Sequence, residues 1–209
     1  MSIDLNGPSL QLALGAVCTA PILLEVRDLS CPAPELSSAE ENQHAGMSSE
    51  KRRAEFLIGR AALKAVLTAL GRSDDTAGVV WPSAFCSLSH SHGYAVAVGL
   101  AEGNGIGIDL QLQRTPPFMM AERILADDTL EWWRQLPESS QAQALQRFWT
   151  VNEAVYKACP APQPAYFRHY RMANPMQLNS GLTIDGTDYR FEVHTLALAE
   201  GFLSLALRV

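Results

Sequence analysis

The sequence predicts a mixed α/β protein in which each half of the chain contains a long helix followed by strands. In the first half, a helix that begins after Ser48 or Ser49 and closes at Gly71 precedes strand patterns over 86–90 and 94–100. The second half contains a strand over 105–111, a helix from Glu138 or Ser139 to Cys159, and strands at 182–184, 189–194 and 202–209. No residue-level repeat relates the halves, so these patterns predict the fold class and leave the arrangement of the halves open.

The remaining segments are predicted from apolar content and from turn-forming residues. We expect strands over 9–18 and 23–27, and a loop with one helical turn over 31–46. Short helices are expected over 119–125 and 129–135. Residues 160–179 contain four prolines and three aromatic residues, which predicts a long surface loop or a lid.

The composition limits the classes of protein to which the chain can belong. The 209 residues are 47% hydrophobic and 18% charged, enough for one core or two closely packed lobes. No apolar run reaches the roughly 18 residues of a membrane span, and the start lacks a basic region and carries Asp4, so we expect neither a membrane anchor nor a signal peptide. The four cysteines are scattered without a CxxC pair, which predicts reduced, mostly packed thiols in a cytoplasmic protein.

The net charge of −6 argues against general affinity for nucleic acid, which requires a basic surface. Any anion site must therefore be a local concentration of positive groups. Arg53, Arg60 and Lys64 share one stripe of the first long helix. Such a row is more often a solvated basic face than a binding site.

The stretch from Gln146 to Lys157 has the strongest chemical pattern. Its apolar and aromatic residues recur at helical spacing, and Trp149 is predicted to lie in the core. Glu153 and Lys157 are four residues apart and so lie on one face of the helix. Taken alone, they form an ordinary helix ion pair worth about 0.2–0.5 kcal/mol.

The strand over 105–111 supplies the second part of the same pattern. Its apolar side chains alternate with two glycines, Asp109 and Gln111, so one face is bare and a ligand can approach the backbone there. Asp109 together with Glu153 and Lys157 could form a site for a divalent cation and a phosphate. Mg²⁺ commonly takes one or two carboxylates plus substrate phosphate oxygens.

Four motifs in a fixed order connect these pieces to a family. They are FLIGRAALK at 56–64, SLSHSHGYAVAV at 87–98, GIGID at 105–109 and FWTVNEAVYK at 148–157. Their order and spacing resemble the larger, single-chain 4′-phosphopantetheinyl transferases, and most closely the branch that activates siderophore and surfactin synthetases. The resemblance implies two similar α/β lobes related by a pseudo-twofold axis, an N-terminal lobe over 1–103 and a C-terminal lobe over 104–209, with the active site between them.

The resemblance also implies an activity. Such an enzyme transfers the 4′-phosphopantetheine arm from coenzyme A to a serine of an acyl- or peptidyl-carrier protein, releases 3′,5′-ADP and requires Mg²⁺. Its partners are coenzyme A and the carrier protein, and we expect a monomer that binds neither nucleic acid nor membrane.

Site residues follow from the matched motifs. Asp109 and Glu153 are expected to bind the metal, and Glu153 is also a candidate general base. Lys157 is expected to contact the pyrophosphate and to belong to the catalytic set. The remaining expected contacts are Gln111 to the metal, and Ser89, His90, Arg60 and Arg53 to coenzyme A.

The sequence departs from the family pattern at three places. Gln111 stands where many relatives have a second acid, Asn152 stands where a lysine is usual, and Val80-Trp81-Pro82-Ser83 replaces a Gly-Lys-Pro segment. Two alternatives therefore stay open: a non-catalytic relative that binds coenzyme A or a carrier domain, and a metal-dependent phosphoesterase of another fold. For a working enzyme, we expect a slow transferase that Asn152→Lys accelerates.

Overall fold

The fold alternates long helices with two antiparallel sheets. The computed structural model describes residues 5–164 and 166–209; residues 1–4 of the predicted N-terminal lobe and residue 165 of the predicted loop lie outside the described part. The helices are α1 (Gly7–Gly15), α2 (Ser38–Ala45), α3 (Glu50–Ala69), α4 (Ala121–Ile124), α5 (Asp127–Arg134) and α6 (Glu138–Ala158). The strands are β1 (Leu23–Asp28), β2 (Cys86–Ser91), β3 (Tyr94–Gly99), β4 (Ile106–Leu112), β5 (Tyr170–Met172), β6 (Asn179–Ile184), β7 (Arg190–Leu198) and β8 (Gly201–Arg208).

The two halves share one topology. In the first half, β1 precedes α3 and then pairs with β3, which pairs with β2. In the second half, β4 precedes α6 and then pairs with β8, which pairs with β7. The second sheet adds β6 and β5 beyond β7. The predicted mixed α/β class is confirmed, and the predicted boundary near residue 103 falls between β3 and β4.

Three groups of buried side chains hold these layers together. One packs α3 against the small sheet, and another packs α6 against the large sheet. The third fills the space between the other faces of the two sheets and is covered by Leu10 and Leu14 of α1. It includes Leu24, Val96, Val98, Ile106, Ile108, Leu110, Leu203 and Leu205. Both halves therefore contribute to one core.

Two predicted segments are wrong. Residues 9–18 were predicted as a strand, but most of them form α1, because the Asn6 side chain accepts a hydrogen bond from the Ser9 N–H and caps the helix. Within 31–46, predicted as a loop with one turn, α2 forms because Ser37 and Glu40 make a reciprocal capping box. The predicted 160–179 loop also contains β5 and the first residue of β6.

All four cysteines are unpaired thiols, and three of them are buried, as predicted. None of the described helices is both long enough and apolar enough to cross a membrane.

Candidate active site

Two glycines bring the helix α6 into contact with the edge strand β4. A β-carbon at Gly107 would collide with the Ala154 carbonyl, and one at Gly105 would collide with the Ala158 carbonyl. The helix backbone therefore lies directly on the strand, which only glycine permits at these positions. The face of the strand that carries the two glycines was interpreted as open to a ligand. That interpretation is corrected, because α6 packs against the glycines. The apolar face of β4, as predicted, enters the core.

This contact brings Lys157 to Asp109. The Lys157 Nζ donates to Asp109 Oδ1 at 2.8 Å and to the Ile108 carbonyl at 2.9 Å. The Ser89 hydroxyl donates to the same carboxylate oxygen at 2.9 Å. Asp109 is buried, while the Lys157 side chain keeps 27% of its surface exposed. Lys157 thus pairs with the strand carboxylate, and within the described part of the chain it forms no ion pair with Glu153.

Glu153 lies beside this pair in a less favourable environment. Burial raises the pKa of its carboxyl group, the negative charge of Asp109 raises that pKa further, and the positive charge of Lys157 partly offsets both effects. Two carboxylates and one ammonium therefore face each other in a half-buried space. A carboxyl group whose pKa is raised suits either a proton acceptor or a ligand for a cation.

Asp109 and Glu153 fit a hard divalent cation. Their mutual repulsion is the condition that a bound cation relieves, and Mg²⁺ needs only one or two protein carboxylates when a substrate supplies phosphate oxygens. Among the described residues, no group of three or more His, Cys, Asp or Glu side chains could hold a metal ion, so a cage built from protein alone is absent there. The third predicted ligand, Gln111, donates its amide to the Arg114 carbonyl at 3.1 Å. It lies on the same face of β4 as Asp109, two residues further along.

A ladder of serine hydroxyls joins the two sheets at this site. The edge strands β2 and β4 lie side by side, and alternate residues of β2 accept hydrogen bonds from alternate backbone N–H groups of β4. The three bonds run from Ile108 to Ser87 at 3.0 Å, from Leu110 to Ser89 at 3.1 Å and from Leu112 to Ser91 at 3.1 Å. Ser89 thus holds both the backbone of β4 and the side chain of Asp109. The serine pattern of the second motif is explained by this ladder.

Two cavities that share lining residues lie near the site, and Lys157 lines the first of them. The first, of about 320 Å³, is lined by Arg60, Trp81, Ser87, Leu88 and Lys157. The second, of about 360 Å³, shares Arg60 and Leu88 with it and is further lined by Met47, Arg52, Glu55, Phe56, Gly59 and His90. Since β2 side chains alternate, Ser89 faces Asp109 while His90 faces the second cavity. The structure therefore places Lys157 and His90 in neighbouring cavities, with Arg60 lining both.

Arg60 lies at the junction of these cavities. Its guanidinium stacks 4.5 Å from the centre of the Phe56 ring, and its Nε atom is buried without a hydrogen-bond partner in the described structure. Burial lowers the pKa of this guanidinium, and the Glu40 carboxylate partly offsets the effect. A half-buried cation of this kind can gain from an anionic ligand.

Two of the three basic residues predicted to share a stripe on α3, Arg53 and Lys64, are bonded within the protein. Arg53 donates to the Met47 carbonyl at 2.9 Å and does not line either cavity, whereas its neighbour Arg52 lines the second. Lys64 forms a 2.9 Å ion pair with the buried Glu40 and is used for folding. The reason is geometric: the helix face that carries Arg53 and Lys64 turns toward α2 and the following loop.

Asn152 also differs from its prediction. Its side chain is 3% exposed, and its Nδ2 donates to the Ile124 carbonyl at 2.7 Å. Asn152 therefore points toward α4 and away from the side of α6 that carries Glu153 and Lys157. The expectation that a lysine at this position would reach a phosphate oxygen is wrong, because its ammonium would enter the core.

Sequence reasoning missed several residues that line the site. Trp81 and Arg52 line the two cavities, and Ser87 supports β4. Trp149, predicted as core, is half-buried and lines a further cavity with Gln111 and Met120. The alternation Ser87-Leu88-Ser89-His90-Ser91 could have indicated the ladder, since every second residue of an edge strand points the same way.

Two models of known protein families match the chain. Residues 40–99 match the model of the 4′-phosphopantetheinyl transferase N-terminal domain, and residues 105–201 match the model of the 4′-phosphopantetheinyl transferase superfamily. Among solved structures, the chain is similar to a holo-[acyl-carrier-protein] synthase from Thermotoga maritima, with 19% sequence identity and a TM-score of 0.41. The match covers 50% of this chain and 62% of the length of that one. No curated protein sequence matches the chain.

Proposed function

Because the chain belongs to the 4′-phosphopantetheinyl transferase superfamily, we propose that it transfers the 4′-phosphopantetheine arm of coenzyme A to a serine of an acyl- or peptidyl-carrier protein. The observation that carries the proposal is the convergence of Asp109, Glu153 and Lys157 beside the cavities that Arg60 joins. The serine oxygen forms a bond to the phosphorus attached to pantetheine. The bond from this phosphorus to the bridging oxygen breaks, and 3′,5′-ADP leaves with the electron pair.

Two cations of the chain are suited to stabilise the pyrophosphate. The Lys157 ammonium lines the first cavity and is partly exposed, so a phosphate oxygen can replace the Ile108 carbonyl as its acceptor. Arg60 lines both cavities and carries a charge that burial leaves poorly solvated. Fixed donors in a partly buried site stabilise charge that develops in the transition state more than they would in water. Asp109 and Glu153, with the amide oxygen of Gln111 or a water as a neutral ligand, would hold Mg²⁺, which would neutralise the pyrophosphate charge.

The serine proton needs an acceptor within the same space. Glu153 fits this role because burial and Asp109 raise the pKa of its carboxyl group toward the range where a base accepts and releases a proton readily. It can accept the proton directly or through a water that it orients.

The second cavity suits the nucleotide. Arg52, Arg60 and His90 can donate to the phosphates, and the Phe56 ring offers an apolar surface. This set compensates for the absent Gly-Lys-Pro segment, because Arg52 is supplied by α3. We place the nucleotide of coenzyme A here and its pyrophosphate beside Lys157.

Mass spectrometry tests the proposal directly. Purified apo carrier proteins, one acyl-type and one peptidyl-type, are incubated with the chain, coenzyme A and Mg²⁺. We expect a gain of the phosphopantetheine mass on at least one carrier, and none with Asp109→Asn or when Mg²⁺ is chelated. The two carriers also test the finer assignment to the siderophore and surfactin branch, which predicts preference for the peptidyl type.

The alternative is a relative that binds coenzyme A without transferring the arm, and Gln111 favours it because the site has one acid fewer than many relatives. Calorimetry with coenzyme A separates the two. Binding without modification of any carrier would support the non-catalytic alternative. Release of phosphate from simple phosphate esters, without a carrier, would instead indicate a phosphoesterase.

A further inference from the structure

A separate cavity lies in the C-terminal half, away from the two cavities of the site described above. It has a volume of about 300 Å³ and lies between α5, α6, the segment before β6 and the β7–β8 hairpin. Its lining is mostly apolar, with Trp132, Leu136, Ala144, Leu178, Ala197 and Phe202, and includes Ser140, Gln143 and Arg147. On α6, Arg147 precedes Glu153 by six residues, which places it about 120° around the helix from the active-site face. The cavity is therefore separate from the coenzyme A site.

Arg147 is the charged group of this cavity, and it is 7% exposed. Its Nη2 donates to the Pro175 carbonyl, and its guanidinium lies 4.8 Å from the centre of the Phe148 ring. Its Nε is buried without a hydrogen-bond partner within residues 5–164 and 166–209. No carboxylate of those residues lies within ion-pair distance of Arg147. Burial lowers the pKa of its guanidinium, and no acidic group offsets this.

In this arrangement the protein's own groups compensate the charge of Arg147 only weakly. A guanidinium stays protonated even when buried, and a buried charge without an opposite charge costs free energy that one carbonyl and one aromatic ring offset only in part. An anion placed in the adjoining cavity would restore the balance. The apolar walls restrict that anion to one with an apolar body, since a polyanion would have to bury charge against Leu136, Leu178 and Phe202.

We propose that this cavity binds a small monocarboxylate with an apolar body, whose carboxylate pairs with Arg147 and whose chain lies against Trp132, Leu178 and Phe202. A volume of about 300 Å³ holds on the order of ten water-sized groups, at the roughly 30 Å³ that one water occupies in the liquid. A medium-chain fatty acid or an acid with one aromatic ring has this size. The site is independent of the transfer reaction.

Calorimetry with octanoate and octanol tests the proposal on the full chain at neutral pH. The two probes match in length and differ in charge. We expect octanoate to bind about tenfold or more tightly than octanol, the ratio that a charge-assisted hydrogen bond provides. Arg147→Met should remove this preference while leaving octanol binding nearly unchanged, because methionine keeps the apolar wall.

Two further variants complete the test. Arg134→Met is the matched control, since Arg134 is exposed on α5, pairs with Glu122 and does not line the cavity; it should bind octanoate as the wild type does. Ala144→Leu, at a half-buried position of the wall, should weaken octanoate binding by filling the cavity, and it provides the test if Arg147→Met does not fold. Equal affinity for both probes, no binding of either, or an unchanged preference in Arg147→Met would overturn the proposal.

Discussion

At the scale of single residues, Glu153 is a carboxyl group whose charged form the fold disfavours. Burial and the charge of Asp109 both raise its pKa, and the partial compensation by Lys157 is weakened because the ammonium is bonded to Asp109. The folded protein therefore loses stability from this group as pH rises through its folded pKa. The loss of folding stability occurs at a position where the proposed chemistry needs a carboxylate. Active sites commonly combine such a loss with function.

Glu153→Gln should separate stability from activity. The variant removes a buried negative charge, so the melting temperature at neutral pH should rise, while transfer should fall by about 10²–10⁴-fold if the carboxylate accepts the serine proton. In the wild type, kcat/KM should increase with pH as the carboxyl group of Glu153 loses its proton, because the base must be deprotonated. A variant with unchanged rate, or with a lower melting temperature, would contradict the role assigned to Glu153.

Asn152→Lys gives the opposite test, at a position where the structure overrides the sequence pattern. Because Asn152 is 3% exposed and bonded to the Ile124 carbonyl, a lysine must bury its ammonium, at a cost of about 3 kcal/mol or more. We expect a lower urea midpoint and no gain in transfer rate. Gln143→Lys, at an exposed position of the same helix, is the control and should leave the midpoint unchanged. A faster and equally stable Asn152→Lys protein would show that this side chain reaches the site.

At the scale of elements, the long helices and most strands could be predicted because their signals are local. The apolar spacing and end residues of α3 and α6 indicate helices directly, and the hairpin of β2 and β3 is bounded by a glycine turn. The predictions for 9–18 and 31–46 are wrong because they follow the composition of these segments and miss the capping residues that start α1 and α2. Asn6 before Pro8 and Ser37 before Glu40 are local helix starts. The alternating serines of β2 are visible in the sequence, but their partners are not, because these depend on β2 and β4 being neighbouring edges.

The ladder should be measurable in both stability and activity. Ser87→Ala and Ser89→Ala each leave a buried N–H group of β4 without an acceptor, at a cost of about 1–3 kcal/mol. Only Ser89→Ala also removes the hydrogen bond to Asp109, so its transfer rate should fall further than that of Ser87→Ala. Denaturation curves and initial rates at saturating coenzyme A check this. Equal rates for the two variants would reduce Ser89 to a purely structural role.

A second element-level prediction concerns Glu40, which ties α2, α3 and the turn at Thr76 together. Burial, the largest single influence, raises its pKa, but hydrogen bonds from Thr76, Lys64 and Ser37 outweigh this and lower the pKa to about 2. Because the folded pKa lies below the unfolded value, the stabilisation is complete above about pH 4.5 and is lost as pH falls toward 2.

Removing this carboxylate should cost on the order of 3 kcal/mol near neutral pH. Glu40→Gln should also flatten the decline of the urea midpoint in acid. Glu41→Gln is the matched control, since Glu41 is an exposed neighbour on α2. Urea titrations near neutral pH and in acid measure both effects. An equal acid-induced decline in wild type and Glu40→Gln would mean that other groups govern acid unfolding.

At the scale of the whole molecule, the two halves repeat one topology without repeating one sequence. The order of strand, helix and hairpin recurs, yet the contacts differ: α6 lies on glycines of β4, whereas α3 at Gly59 meets the side chain of Leu88. Motif order could predict that the site lies between the halves only through resemblance to a family. Pairing of β1 with β3 and of β4 with β8 is a long-range property that local patterns do not encode.

The shared core predicts that the halves unfold together. Leu24 on β1 packs in the same cluster as Ile108 and Leu205, so Leu24→Ala should destabilise the protein by about 2–5 kcal/mol. In a Trp81→Phe background, the remaining tryptophans all lie in the second half and report on it alone. We expect the fluorescence and circular dichroism transitions in urea to coincide, and Leu24→Ala to shift both midpoints equally. If the two halves were independent, Leu24→Ala would leave the fluorescence midpoint unchanged and split the transition into two steps. A coincident shift would mean that the geometry joining Asp109 to Lys157 depends on the core of both halves.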